Sequence, residues 1–179
     1  MDFAREAAEL LPYIQNHRRH IHQYPELSFR EKETTEYIQK ELESMGIEVI
    51  RFSDYYGLIG VLKGGRAGKT VLLRADIDAL GIREENELDF CSVHAGVMHA
   101  CGHDCHSAML LGAAKILSAY RDALKGTVKF LFQSAEESGH GANYYVDHGC
   151  LDGVDAAMAI HMMNEIPAGT FSIEAGPRM

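Results

Sequence analysis

The sequence predicts one three-layer α/β domain, in which helices cover both faces of a sheet. Its 179 residues are enough for a single buried core, and the hydrophobic fraction of 46% and charged fraction of 24% are ordinary for a globular protein. Apolar runs alternate with helical periods in the second half of the chain, which is typical of strands covered by helices. We therefore expect ligand-binding side chains beyond the carboxyl ends of the strands.

Two helical segments are expected at the start of the chain. Apolar residues recur close to a helical period over 3–22, although Pro12 predicts a kink or a late helix start. Ser28 and Glu31 then match a capping box, in which the two side chains bond to free amides of a first helical turn. A second helix is expected from this box to about residue 45, where Gly46 would end it.

After Gly46 the spacing of the apolar residues changes from a helical period toward the period of strands. Strands are expected at 47–52, 57–62, 70–74, 127–132, 156–160 and 170–173. The segment 63–69 is expected to be a turn; it contains Gly-Lys-Thr, but its spacing does not match a phosphate-binding loop. Further helices are expected at about 105–120 and 141–148.

The densest chemical signal is the segment 99–106, which holds three histidines, two cysteines and one aspartate. Cys101 and His103 are two residues apart, so in an extended segment both could reach one ion or two neighbouring ions. If a helix follows, the positive end of the helix dipole would favour the thiolate form of Cys101. The alternative is a polar histidine-rich turn beside a buried free thiol, and His99, Cys105 and His106 favour a packing or supporting role.

Two acidic pairs and one histidine also follow apolar runs. Asp76 and Asp78 could orient ligating histidines through their second ring N–H. Of the adjacent Glu136 and Glu137, one could bind a cation while the other takes a proton from water. Taken singly, these acids could cap turns or begin helices, and His161 could be a core histidine. Together with the cysteine and histidine cluster they predict an assembled metal site.

Composition argues against nucleic-acid and membrane partners. The net charge is −9 and no basic patch stands out, so nucleic acid is not an expected ligand. No apolar run approaches the ~18 residues that cross a membrane, and the charged start lacks the apolar core of a secretory signal. The four cysteines form no C-x-x-C pair and are expected to be reduced thiols or ligands. We expect a cytoplasmic protein.

Four blocks of the sequence, in this order, resemble the M20 metallopeptidase family: 18–28, 74–80, 98–104 and 133–137. The closest branch is that of the N-acyl-amino-acid amidohydrolases, which include hippurate hydrolases and auxin-conjugate hydrolases. The resemblance implies an α/β/α catalytic domain interrupted by a smaller lid that often dimerises. Residues 1–179 would then be the N-terminal part of the catalytic domain, incomplete at its C-terminus, and the absent lid would begin near residue 177.

The resemblance also implies a centre of two divalent ions and a set of site residues. Glu136 would be the general base that activates a metal-bound water, and Asp76 the acid that orients a metal-bound group. The implied ligands are Cys101, His103, Glu137 and His161. Zinc, manganese, cobalt and nickel all fit such a mixed donor set.

The implied activity is hydrolysis of the amide bond of an N-acyl amino acid or a similar small conjugate. A homodimer is expected for the full-length form. The 179-residue chain alone is expected to be nearly inactive, because the family's last histidine ligand and the lid histidine would lie outside it. Two alternatives remain open: a non-catalytic metal-binding or interaction module, and a dipeptidase or aminopeptidase of the same superfamily.

Overall fold

The computed structural model describes residues 2–173 and contains a five-stranded sheet with helices on both faces. The expected three-layer α/β class is confirmed. The helices are α1 (Phe3–Glu9), α2 (Leu11–Gln23), α3 (Lys32–Ser44), α4 (His103–Ala119) and α5 (Gly141–Asp147). The strands are β1 (Glu48–Arg51), β2 (Leu58–Lys63), β3 (Arg66–Asp76), β4 (Lys125–Gln133) and β5 (Ala156–Ala159). The expected lid boundary near residue 177 lies outside the described residues.

The strand order is β1-β2-β4-β3-β5, and the three strands at one side of the sheet run parallel. Strand β3 pairs in parallel with both β4 and β5, whereas β2 is antiparallel to β1 and β4. Asp76 at the end of β3 lies opposite Gln133 at the end of β4. The residues that follow β3, β4 and β5 therefore emerge at the same edge, where ligands bind in open α/β sheets.

Alternate side chains of β4 enter two separate apolar clusters. Phe130 and Phe132 are fully buried against the face covered by α3 and α4, together with Leu111 of α4. Leu131 points to the opposite face, where it packs in the cluster that contains Tyr145 of α5. This alternation follows from the two-residue period of a strand, and it gives the sheet a core on each side.

The N-terminal helical segment is broken near Pro12, where a kink or a late helix start was predicted. Helix α1 ends at Glu9, and α2 begins at Leu11 with Pro12 in its first turn. A proline is tolerated there because the first amides of a helix have no partner within the helix. Within residues 2–173, the helices are all too short or too polar to cross a bilayer.

The predicted capping box is wrong. Helix α3 begins at Lys32, and the preceding residue, Glu31, makes no side-chain cap among the described residues. The Ser28 hydroxyl instead donates to Asp78 Oδ2 at 2.7 Å, and Glu31 Oε1 accepts from the Ala135 N–H at 2.8 Å. Both side chains have partners that are distant in sequence, and these bonds replace the local ones.

Three predicted element boundaries also differ from the structure. Strand β3 begins at Arg66, inside the segment expected to be a turn, and an irregularity in its pairing with β4 lies between Arg66 and Thr70. Residues 170–173, expected to be a strand, form none. Helix α4 begins at His103, two residues earlier than expected, which places this histidine in the first turn of the helix.

Candidate metal centre

The side chains that the sequence marks as candidate ligands and acids lie close together where three parallel strands end and α4 begins. Cys101 precedes the helix, and His103 opens it. Gly102 between them has φ +89°, and a β-carbon there would lie 3.0 Å from the side chain of Met162. Glycine therefore permits a left-handed turn, together with close approach of the segment that carries His161.

His103 lies at the middle of the centre, and its side chain is fully buried. Its Nδ1–H donates to the Asp78 backbone oxygen at 2.8 Å, with Asp78 Oδ1 at 3.2 Å. This fixes the tautomer, so the lone pair of Nε2 points away from Asp78. Within residues 2–173, Nε2 has no hydrogen-bond partner, and it faces three carboxylates: Asp76 at 3.8 Å, Glu136 at 3.7 Å and Glu137 at 3.6 Å. Although burial opposes its charge, Asp78 and Asp76 hold the pKa of His103 above its ordinary value.

Cys101 and His161 lie on another side of the same space. Cys101 Sγ is 3.5 Å from His161 Nε2, and His161 Nδ1–H donates to the Met162 backbone oxygen at 2.7 Å. Ligand atoms of Cys101, His103 and His161 all lie within 4.8 Å of one another. Burial, together with the hydrogen bond and the negative charge of the Glu137 carboxylate, raises the pKa of the Cys101 thiol to about 12. The thiolate expected from the helix dipole therefore needs a cation to offset the surrounding carboxylates.

Asp76 is buried beside two positively polarised groups. Its Oδ1 accepts from His106 Nδ1–H, and Arg74 lies 3.2 Å from Oδ2. Although burial opposes ionisation, the bond from His106 and the charge of His103 lower the pKa of Asp76 to about 2. His106 Nε2 accepts the Met162 N–H at 2.8 Å, so His106 links Asp76 to the segment after β5. The acid that orients His103 through its Nδ1 is Asp78, whereas the nearest partners of Asp76 are His106 and Arg74.

The two adjacent glutamates face the centre to different degrees. The side chain of Glu137 is 21% exposed, and its Oε1 is buried with no hydrogen-bond partner between residues 2 and 173. The side chain of Glu136 is 36% exposed, so it lies nearer to solvent. The Glu137 backbone N–H donates to Asp78 Oδ2 at 3.0 Å. Asp78 thus holds both the histidine and the glutamate segment, a link that the sequence did not reveal.

The donor atoms fit divalent cations. Three overlapping groups each have their ligand atoms within 4.8 Å: Cys101, His103 and His161; Asp76, His103 and His106; and His103, Glu136 and Glu137. Buried polar atoms without partners are costly in a folded protein, and His103 Nε2 and Glu137 Oε1 would gain a partner from a cation. The mixture of thiol, imidazole and carboxylate suits zinc and the neighbouring divalent transition metals.

His99 lies beside this centre but outside its ligand groups. It is buried, and burial lowers its pKa to about 4. Neither of its ring nitrogens has a hydrogen-bond partner within residues 2–173. Cys105 likewise belongs to none of the three ligand groups among those residues.

The chain is similar to known proteins over most of its length. The sequence model described as peptidase family M20/M25/M40 matches residues 72–176. An N-acetyl-L-cysteine deacetylase of Bacillus subtilis (strain 168) is 48% identical over 162 residues, which are 90% of this chain and 39% of that protein. An N-acyl-L-amino acid amidohydrolase of Geobacillus stearothermophilus is 45% identical over 163 residues, 90% of this chain and 44% of that protein.

A solved structure shares the fold. The Bacillus subtilis YXEP protein, described as a dinuclear metal binding peptidase from the M20 family, superposes with a TM-score of 0.89 at 44% identity. The superposition covers 93% of this chain and 47% of that one. The chain therefore spans less than half the length of these matched proteins.

Proposed function

Since the chain belongs to peptidase family M20/M25/M40, we propose that it supplies the metal centre of a hydrolase that cleaves the amide bond of N-acyl amino acids or similar small conjugates. The observation that carries the proposal is the buried His103 Nε2, which has no hydrogen-bond partner among the described residues and faces Glu136 and Glu137. The relatives named as a deacetylase and an amidohydrolase support the reaction class. The relative described as dinuclear supports two cations.

We propose four metal ligands. The donor atoms of three of them lie close to His103, which is the fourth: Cys101, Glu137 and His161. Zinc, manganese, cobalt and nickel remain candidates, because all accept this donor set. When bound, the cations would supply Lewis acidity, which polarises the scissile carbonyl and lowers the pKa of water.

Glu136 is the proposed base because its carboxylate is beside the ligands and more exposed than that of Glu137. It takes a proton from water as the water oxygen bonds to the carbonyl carbon. It then gives this proton to the amine nitrogen as the carbon–nitrogen bond breaks. Asp78 keeps the His103 ring in place by accepting its Nδ1–H, and Asp76 does the same for His106.

The test uses the natural protein that contains this sequence, assayed with N-acetyl and N-benzoyl amino acids beside free dipeptides. Glu136→Gln should lower kcat by about 100-fold or more, with metal content unchanged. Glu87→Gln, at an exposed position outside the centre, is the matched control and should leave kcat unchanged.

Three results would contradict the proposal. Glu136→Gln with nearly full kcat would exclude Glu136 as the base. Preference for free dipeptides would favour a dipeptidase or aminopeptidase. Cation binding without turnover of any of these substrates would favour a non-catalytic module.

A further inference from the structure

We propose that Glu31 is a positioning residue for the Glu136–Glu137 pair: it holds the Ala135 peptide in the left-handed conformation that directs the two carboxylates toward His103. The inference rests on the proposed function, because it assigns a cause to the orientation of the proposed base and ligand. It adds a residue from the start of α3, far from the centre in sequence.

The Glu31 carboxyl is fully buried and reaches the glutamate segment directly. Its Oε1 accepts the Ala135 N–H at 2.8 Å, across 104 positions of sequence. The Glu31 backbone is itself fixed, because its carbonyl accepts from the Thr35 N–H at 3.0 Å and from the Thr35 hydroxyl. The carboxyl therefore extends from a rigid helix start to the residue that precedes Glu136.

Ala135 needs such a partner because its backbone conformation is unfavourable. Its φ is +55°, in the left-handed region that costs free energy for any residue with a β-carbon. Ala135 is also fully buried. Backbone conformations of this kind persist only where surrounding contacts impose them, and they are frequent at functional sites.

The next peptide group, which carries the Ala135 carbonyl, is held by Gly141. The Gly141 N–H donates to the Ala135 oxygen at 3.1 Å. A β-carbon at position 141 would lie 2.5 Å from that oxygen and 2.2 Å from the Ser134 oxygen. Glu31 and Gly141 therefore fix Ala135 from opposite ends, so the direction in which the chain leaves toward Glu136 is set.

The neighbouring contacts do not perform this task. The Ser134 N–H donates to Tyr145 Oη at 3.0 Å, which fixes the end of β4. The Glu137 N–H donates to Asp78 Oδ2 at 3.0 Å, which fixes the far side of the pair. Among the described contacts, the Ala135 N–H itself is held by Glu31.

A role in packing alone does not account for a carboxyl at this position. Glu31 Oε2 is buried and has no hydrogen-bond partner in the part of the chain that the structure describes, and burial raises the pKa of this carboxyl to about 7. An apolar side chain would fill the same space without burying a polar oxygen. A carboxyl supplies an acceptor for the Ala135 N–H, and an apolar group does not.

The test uses cobalt(II) as the probe, because its visible absorption reports ligand geometry independently of turnover. Glu31→Leu removes the acceptor, and Glu31→Gln keeps it. We expect Glu31→Leu to change the spectrum of the cobalt-loaded chain, and Glu31→Gln to retain the parent spectrum. In the complete protein, Glu31→Leu should lower kcat by roughly 10–100-fold with little change in KM.

Two further variants separate positioning from general stability. Gly141→Ala displaces the Ala135 carbonyl from the opposite side and should give a spectral change like that of Glu31→Leu. Ile38→Val weakens packing of the same helix, α3, away from Ala135, and should lower the melting temperature without changing the spectrum.

The outcomes are distinct for the two proposals. An unchanged cobalt spectrum in Glu31→Leu, or in Gly141→Ala if the first variant does not fold, would overturn the role of Glu31. A changed spectrum in Glu31→Gln would also overturn it, because the acceptor is retained there. If the parent protein does not hydrolyse these amides, but the cobalt spectra of the variants change as expected, the proposed function alone would be overturned. A parent chain that binds no cobalt would overturn both.

Discussion

Replacing Asp78 with asparagine should weaken cation binding at His103 by roughly 10–30-fold, within the range measured when outer groups of metal sites are removed. The buried Asp78 carboxylate is approached by three donors: the Ser28 hydroxyl at 2.7 Å, the Glu137 N–H at 3.0 Å and His103 Nδ1–H at 3.2 Å. Asparagine keeps one oxygen but replaces the other with an NH₂ group, which cannot accept.

The magnitude follows from which bond is lost. If the amide oxygen stays with Ser28 and Glu137, the NH₂ group faces the N–H of His103, and a charge-assisted bond becomes a contact between two donors. Hydrogen bonds to charged groups contribute about 1.5–3 kcal/mol. The backbone oxygen of residue 78, at 2.8 Å, still accepts the His103 N–H, so we expect the lower part of this range. About 1.5–2 kcal/mol corresponds to roughly 10–30-fold in Kd.

The assay is zinc titration in competition with a chromogenic chelator, with circular dichroism as the check on folding. Ser28→Ala is the matched control: it removes a donor from the same carboxylate but leaves the His103 contacts intact, so its Kd should stay within about threefold of the parent. A folded Asp78→Asn variant with the parent Kd would refute the argument that Asp78 orients His103.

Three other predictions concern stability. Gly57 has φ +77°, and a β-carbon there would lie 2.1 Å from Tyr145 Oη, so Gly57→Ala should lower the free energy of unfolding by about 2 kcal/mol or more in urea. Gly81→Ala is the matched control, because a β-carbon at position 81 would have no described atom within 4 Å. It should change the free energy of unfolding by less than about 0.5 kcal/mol, and equal losses in the two variants would contradict the predicted clash at position 57. Burial raises the pKa of Glu31 to about 7, so the folded chain holds a proton that the unfolded chain releases at lower pH. Stability should therefore decline as the pH rises from about 5 to about 8, and Glu31→Gln should flatten this decline; an unchanged slope would assign it to other groups. A chelator should lower the melting temperature of the cation-loaded chain, because a ligand of the folded state alone stabilises it; identical melting curves would contradict the metal centre.

The sheet edge could be predicted from the sequence because the two aspartates, the two glutamates and His161 each follow an apolar run. The carboxyl ends of such strands meet at one edge of the sheet, so the aspartates at the end of β3, the glutamates after β4 and His161 after β5 were expected to lie close together. The structure brings Cys101 and His161, 60 positions apart, to within 3.5 Å of each other. The roles of these side chains as base and ligands remain predictions.

The contacts that support the site could not be predicted, because they depend on tertiary structure. Ser28 and Glu31 have the spacing of a helix cap, and nothing local distinguishes them from one. Their observed partners are 50 and 104 positions away and become adjacent only when α3 packs on the sheet. Likewise, residues 66–69 follow two glycines and contain two charged side chains, and they become strand by pairing with β4.

The order of the chain also bears on how the centre forms during folding. Cys101 and His103 are two residues apart and are joined by Gly102, whereas Glu137 and His161 are brought to them by the pairing of β4 and β5 with β3. Pairings between distant segments close late, because loop entropy opposes them. A cation that meets the nascent chain would therefore find a two-donor nucleus first and acquire its remaining donors as the parallel strands assemble.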